Sequence, residues 1–307
     1  MPVTASSIGA LPPPVRRQRR RADFVAYLYL APAVAFVGVF LIYPLVEAGV
    51  ISLYQWDGIS VAKWVGLSNY LTAAQTPEIV QSFYHVGVLI IFFAVIPLGL
   101  ALILAAVVQR GARLHGLGFF QSLIFLPQVI ASVVIGVIWV SIYAPTGTMN
   151  TVLDAVGLGT QNAWLGDFNT ALPAVGLIGT WVEIGLCLVL MVTGISQIPS
   201  ELYDAVRVDG AGAIREFFAI TLPGLRGPIV AALTLTVLFA LRTFDIVFVT
   251  TGGGPGTSTV VPAFLVYNLA FRESEVGLGS AVGILLVIVT LIITGIIRRL
   301  EPKEIDE

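Results

Sequence analysis

The stretch ELYDAVRVDGAGAIREFFAITLPG, residues 201–224, carries acids, arginines, a glycine turn and a closing proline between two apolar runs, 172–195 and 228–250. Each run has the roughly twenty residues that a helix needs to cross the hydrocarbon layer. A segment with this charge must lie outside that layer and fold by its own local signals. Pro199-Ser200-Glu201 reads as a helix start, with Ser200 placed to accept a hydrogen bond from an orphan backbone N–H and Glu201 and Asp204 at the positive end of the helix dipole. Asp209-Gly210-Ala211-Gly212 reads as a turn. A second amphipathic piece follows, with Ile214, Phe217, Phe218 and Ile220 spaced for one apolar face, and Pro223 helps set where the next span begins. The sequence predicts helix, glycine turn and helix, held at both ends by spans, an element able to transmit force. Arg207, Arg215 and Arg226 would suit a helix resting in headgroups, whereas an anionic leaflet repels Glu201, Asp204, Asp209 and Glu216. Charge tips the balance towards a protein-docking surface, and the headgroup reading stays open.

Outward from this segment the chain is membrane material. Charged residues make up 11% and apolar residues 57%, and the mean hydropathy is +0.94; an average soluble domain is about one quarter charged. An all-α membrane protein with six transmembrane helices is expected, at roughly 24–46, 80–108, 119–143, 172–195, 228–250 and 278–297. Pro32, Pro97 and Pro127 interrupt spans, which kinked helices around a cavity and ordinary membrane packing accommodate equally. Gly279 and Gly283 form a GxxxG in the last span, permitting close helix approach. Cys187 lies in a span as a small packing residue, and His85 and His115, isolated from any metal-ligand spacing, are expected near membrane boundaries.

Basic residues next to a span resist translocation. With the N-terminus inside, Arg16, Arg17, Arg19, Arg20, Arg21, Arg110, Arg113, Arg207, Arg215, Arg226, Arg298, Arg299 and Lys303 are cytoplasmic. Only Lys63 and Arg272 then lie outside, and Arg242 falls within a span. Both termini and residues 201–224 are thus expected in the cytoplasm. Residues 1–22 read as a cytoplasmic basic tail, disordered over its first part, 23–300 as the six-span domain and 301–307 as a cytoplasmic C-terminal tail. The first apolar run exceeds the 7–15 residues of a signal-peptide core, so an uncleaved span is expected. No internal repeat is visible.

Several chemistries have no residues to stand on. The only lysines, Lys63 and Lys303, do not follow a glycine as a GxxxxGK[ST] phosphate loop requires. HExxH, GxSxG, CxxC and acidic calcium-loop patterns are missing as well. The chain is therefore expected to be no enzyme, to hold no metal or cofactor and to bind no nucleic acid; its function lies in the bilayer, in binding and in partner contact.

At residues 198–224 the sequence resembles the EAA loop of bacterial ABC-importer permeases, whose pattern is EAA, a glycine, nine residues and I-x-L-P. Asp204-Ala205-Val206 stands for EAA, Gly210 for the glycine and Ile220-Thr221-Leu222-Pro223 for the close, with nine residues between Gly210 and Ile220. The carbohydrate branch, IPxELYEAAxxDGA, is closer still, with Ile198-Pro199-Ser200-Glu201-Leu202-Tyr203-Asp204-Ala205 and Asp209-Gly210-Ala211. The departures are Asp204 for Glu and Val206 for the second Ala. Leu30-Ala31-Pro32-Ala33 through Ile42-Tyr43-Pro44-Leu45, Phe244-Asp245 through Thr251-Gly252-Gly253-Gly254-Pro255-Gly256, Ala270-Phe271-Arg272 and Gly279-Ser280-Ala281 resemble other parts of sugar permeases. The resemblance implies a bacterial inner-membrane subunit paired with a second permease, two cytoplasmic ATPase subunits that bind the ATP, and an extracytoplasmic sugar-binding protein. It implies that the loop is a coupling helix between spans 4 and 5, with Glu201, Asp204, Ala205, Asp209, Gly210 and Ala211 at the ATPase.

A charge near the bilayer centre costs about 2.5–3.5 kcal/mol on insertion scales, so one that persists faces a partner or a watery cavity. Glu183 lies mid-span, and Arg242 and Asp245, three apart, are expected to share a helix face and to be able to pair. They serve either packing, including an interface with the second permease, or a sugar path. In the latter they and Gln128 bond hydroxyls while Trp181 and Phe244 stack on the ring. An ABC permease for another small solute, such as an amino acid or polyamine, and an ion-coupled secondary transporter are the alternatives. Ile198-Pro199 with Glu201-Leu202-Tyr203, and the Thr251–Gly256 turn, argue for sugars.

Overall fold

A computed structural model of the chain describes residues 29–110, 117–159 and 162–300. The expected tails, with Arg16, Arg17, Arg19, Arg20, Arg21 and Lys303, lie outside the described residues, as do Arg113 and His115. The chain forms two units, Met1–Val50 and Ile51–Glu307. Helix α1 (Tyr29–Ile51) supplies the described part of the first and ends at the boundary. Phe36, Phe40, Leu41 and Tyr43 are all exposed on it, the all-round apolar surface of a membrane span.

The second unit opens with a hairpin, β1 (Tyr54–Gln55) antiparallel to β2 (Lys63–Trp64), in the register Tyr54↔Trp64 and Gln55↔Lys63. Helices α2 (Ser68–Gln75) and α3 (Pro77–Val107) follow, then α4 (Gly118–Val129) and α5 (Ser132–Ile142), set at 102° to each other. After the short α6 (Thr148–Ala155) comes the long α7 (Ala171–Ile195), then α8 (Ser200–Val208). Next are α9 (Ala213–Gly224) and α10 (Arg226–Leu241), bent by 68° at Leu225, and α11 (Asp245–Thr250). The described chain closes with α12 (Pro262–Tyr267), a π turn at Asn268–Arg272 and α13 (Val276–Arg298).

Among the described residues four helices, α1, α3, α7 and α13, are long and apolar enough to cross a membrane, and the count rises to six when each bent pair is one span. The span expected at 119–143, interrupted by Pro127, is present as the bent pair α4 and α5, and the one expected at 228–250 is shorter than expected. The first breaks after Pro127, where Ala131 is extended at φ −60° and ψ 135°; proline supplies no N–H and crowds the preceding turn. The second ends at Leu241, and 245–250 form the separate α11, packed along α5.

Of the four π stretches among the described residues, three, Gly38–Ile42, Ile91–Val95 and Phe217–Thr221, end two residues before a proline: Pro44, Pro97 and Pro223. Each holds the residue four before the proline, Phe40, Phe93 or Ala219, whose carbonyl the ring would strike in a regular helix. A widened turn lets the helix continue through the proline.

Helix α7 packs against α3, α4 and α10 at the centre of this unit. Lipid is as apolar as leucine, so close packing and interhelical hydrogen bonds must hold such helices together. At Gly185 a Cβ would come within 2.6 Å of the Ile124 carbonyl oxygen, so only glycine permits this approach of α7 to α4. Thr180 Oγ1 donates to Phe92 O at 2.6 Å and Tyr143 Oη to Ala174 O at 3.1 Å, bonds worth about 0.6–2 kcal/mol each. Cys187 is buried with Leu98, Ala101, Leu188 and Met191. His85 is buried and its Nδ1 donates to Val260 O at 2.8 Å. Gly279 lies against Val266 and Ala270, while Gly283 is more loosely packed.

Candidate functional site

The helix predicted from Ser200 forms as α8, but Pro199 precedes it as the capping residue and the Ser200 hydroxyl caps nothing, a correction to the expected N-cap. Glu201 occupies the first turn as expected. At the other end Gly210 N–H donates to Arg207 O at 3.0 Å and Ala211 N–H to Val206 O at 3.2 Å, with Gly210 at φ +73°. These are the two bonds of a Schellman cap, whose left-handed position favours glycine. Local chemistry thus reverses the chain between α8 and α9.

Arg207 closes the hairpin. Its Nε donates to Glu216 Oε2 at 2.9 Å and its Nη1 lies 3.6 Å from Asp204 Oδ1. The Glu216 carboxylate raises the Arg207 pKa above the ordinary guanidinium value through its hydrogen bond and its charge, with Asp204 adding to the effect. Glu216 is buried, which withdraws it from the outward face, and the half-exposed Arg207 side chain is engaged by it within the hairpin. Tyr203 turns inward and its Oη lies 3.3 Å from Thr221 Oγ1.

The outward face is what remains. Glu201, Asp204, Ala205, Asp209 and Gly210 are exposed, and Ala211 is half-buried. Leu202 and Val208 stand among them, 47% and 86% exposed. The sequence reading missed both, although leucine and valine on an otherwise charged helix were the available signal. The apolar face expected of the second piece is divided: Ile214 and Phe218 are exposed while Phe217 and Ile220 are partly covered. Ile214, Phe217 and Phe218 border an apolar groove of about 290 Å³ against Ile103 and Val107 of α3.

The intramembrane residues form two groups beside the α4–α5 break. Glu183 is 1% exposed and neither carboxylate oxygen has a hydrogen-bond partner. Gln128, near the end of α4, neighbours it, and Gln128 Oε1 is also unpartnered. Buried polar groups are normally satisfied, so this unpartnered pair stands out among the buried side chains. Trp181 faces a cavity of about 420 Å³ with Pro127 and Ile130, its ring centre 5.7 Å from that of Trp139.

Arg242 and Asp245 flank the gap between α10 and α11 and are exposed. They share no helix face and make no ion pair with each other among the described residues, because φ −129° at Phe244 interrupts the helix between them. With Ser132 and Phe244 they line a cavity of about 210 Å³. Phe244 stacks on Phe248 at 5.2 Å and meets Tyr267 at 5.4 Å. The structure therefore joins Gln128 with Glu183, and Phe244 with Arg242 and Asp245; Gln128 and Ser132 stand on either side of the same break.

Residues 98–306 match the family described as the binding-protein-dependent transport system inner membrane component. A probable ABC transporter permease of Bacillus subtilis, YurN, is 36% identical over 87% of this chain and 92% of its own length. The diacetylchitobiose uptake permease NgcF of Streptomyces coelicolor is 30% identical, over 92% and 84%. The trehalose/maltose permease MalF of Thermococcus litoralis is 32% identical, over 88% and 91%. In solved structures the fold is similar to a chain of a bacterial ABC transporter importing alginate, with a TM-score of 0.75 at 21% identity, covering 94% of this chain and 99% of the other.

Proposed function

Because the chain belongs to the family of binding-protein-dependent transport system inner membrane components, the permease subunits of ABC importers, we propose that the solute it passes is a sugar or sugar-like molecule. Two relatives are named for glycosides, diacetylchitobiose and trehalose/maltose, which supports the sugar assignment. The observation that carries it is the pair of polar groups at the α4–α5 break. A sugar path needs hydrogen-bonding groups and an aromatic face at membrane depth, and Gln128, Glu183, Arg242, Asp245, Trp181 and Phe244 supply both.

The second permease, two ATPase subunits and a solute-delivering binding protein complete the importer in this reading. The ATP is bound by the ATPase subunits. Residues 201–224 and both termini face the cytoplasm, where Glu201, Leu202, Asp204, Ala205, Val208 and Asp209 meet the ATPase. Movement of α8 passes through the Arg207–Glu216 bridge to α9 and across the bend at Leu225 to α10, which ends beside the Arg242 cavity. The test is uptake by the assembled importer in vesicles supplied with ATP, using diacetylchitobiose, maltose, an amino acid and a polyamine. Uptake confined to the two disaccharides is expected. Uptake of only the amino acid or polyamine would overturn the sugar assignment.

A further inference from the structure

Away from the membrane-embedded groups, β1, β2, α2 and the start of α13 enclose a cleft of about 520 Å³ that shares no lining residue with the Arg242 cavity. Its walls are fixed by internal bonds. Asp57 Oδ1 accepts from Ile59 N–H at 2.9 Å and Ser60 N–H at 2.7 Å, and Trp56 Nε1 donates to Ser60 O at 2.8 Å. Gly277 N–H donates to Trp56 O at 3.1 Å, tying the hairpin to α13. Asn69 Nδ2 ties α2 to the hairpin strand through Ser52 O at 2.8 Å and Tyr54 O at 2.9 Å. Trp56 is thereby tied to the wall through its indole N–H and its carbonyl.

Other side chains around the cleft are not engaged in this way. Gln55, Lys63, Ser68, Thr72 and Glu275 all line it, and none makes a side-chain hydrogen bond to another described residue. They offer donors and acceptors in mixture: an amide, an ammonium, two hydroxyls and a carboxylate. Lys63 offsets one of the two acids, Asp57 and Glu275, so no strong field of one sign selects an ion. An indole plate with mixed donors and acceptors suits a molecule with hydroxyls at its rim and C–H bonds on its faces, and the volume is that of a small-molecule site.

We propose that this cleft binds a neutral saccharide of one or two rings, a second carbohydrate site apart from the membrane path. The choice of ligand rests on the sugar reading above; the site itself rests on the cleft. A prebuilt wall avoids the ordering cost of binding, but the cleft is open on one side, so a dissociation constant on the order of 1 mM is expected.

Saturation-transfer NMR on the full chain in lipid nanodiscs, with diacetylchitobiose and maltose as probes, reads the site through the difference between the parent chain and cleft variants. Signal from at least one sugar is expected, weakened about tenfold or more in Trp56→Leu and severalfold in Glu275→Gln. Trp56→Phe keeps an aromatic face and should retain most of the signal. No transfer to either sugar, equal loss in Trp56→Phe and Trp56→Leu, or undiminished signal in Trp56→Leu would each overturn the proposal. Cleft variants that release the binding protein while sugar signal is unchanged would overturn it in favour of a protein contact. Disaccharide uptake by the assembled importer separates the two readings: uptake without cleft binding removes this proposal alone, and cleft binding without uptake removes the sugar assignment of the transport path alone.

Discussion

Gly210 illustrates how one residue separates folding from coupling. Its φ is +73°, and no atom lies within 4 Å of the place a Cβ would occupy. A side chain there meets no steric obstacle within the chain, and the backbone cost of a left-handed residue is about 1–2 kcal/mol, less for Asp than for most. Gly210→Asp should therefore reach the membrane in near-normal amount. Transport and ATPase co-purification should fall at least tenfold, since an unpaired carboxylate in a packed interface costs several kcal/mol and about 1.4 kcal/mol is a factor of ten. Normal attachment and uptake in this variant would remove α8 as the docking element. Gly210→Ala bears the backbone cost alone and should lower stability by ~1 kcal/mol while retaining coupling. At Glu183 the expectation runs the other way. Its carboxylate is buried without a partner, so Glu183→Gln should leave assembly intact while uptake per assembled complex drops severalfold. Unchanged uptake would make Glu183 a packing residue, and the same comparison with Arg242→Gln decides its role. These charges were legible in the sequence because charge in an apolar run is conspicuous. The separation of Arg242 from Asp245 was not, because it depends on backbone angles at Phe244 that neither charge announces.

Among the elements, the α8–α9 hairpin shows most clearly what local signals leave open. Glycine, proline and apolar spacing located both helices, but which acid faces outward depended on how α8 folds back on α9. Arg207 is half exposed and Glu216 nearly covered, so solvent screens the bridge and its main effect is to hold the hairpin's geometry. Glu216→Ala should accordingly weaken ATPase co-purification and uptake, and the exchange Arg207→Glu with Glu216→Arg should restore part of both. A double variant no better than the singles would show that the bridge does not hold the hairpin in its working form. The β1–β2 loop gives a pH expectation. Hydrogen bonds from the Ile59 and Ser60 amides depress the Asp57 pKa below its usual 3.8. A depressed carboxylate contributes order that is fully present above the unfolded value and is lost as pH falls through the folded one. Amide exchange at Ile59 and Ser60 should thus show unchanged protection from neutral pH down to about pH 5 and lose it only below pH 3.8. Loss of protection at pH 5 would contradict the Asp57 anchor.

For the whole molecule the central expectation is sidedness. Basic residues gather at the N-terminal tail, at 110–113, at 207–226 and at the C-terminal tail, so reporters fused at Glu307 and within 209–212 should both be cytoplasmic, with a probe near Lys63 accessible from outside. A fusion at Glu307 whose reporter proves external would overturn that orientation, and with it the cytoplasmic docking of α8. Hydropathy, prolines and the Gly210 turn act over a few residues, and they sufficed for the membrane class, the helical fold and the place of the helix–turn–helix. Contacts between distant segments were beyond their reach. His85 bonds Val260 from 175 positions away, and the cleft draws on both Gln55 and Glu275. The inward turn of Glu216 and the meeting of the hairpin with α13 follow from which helix faces pack together. Within an apolar run most faces look alike to a hydropathy pattern, and only the packed structure distinguishes them.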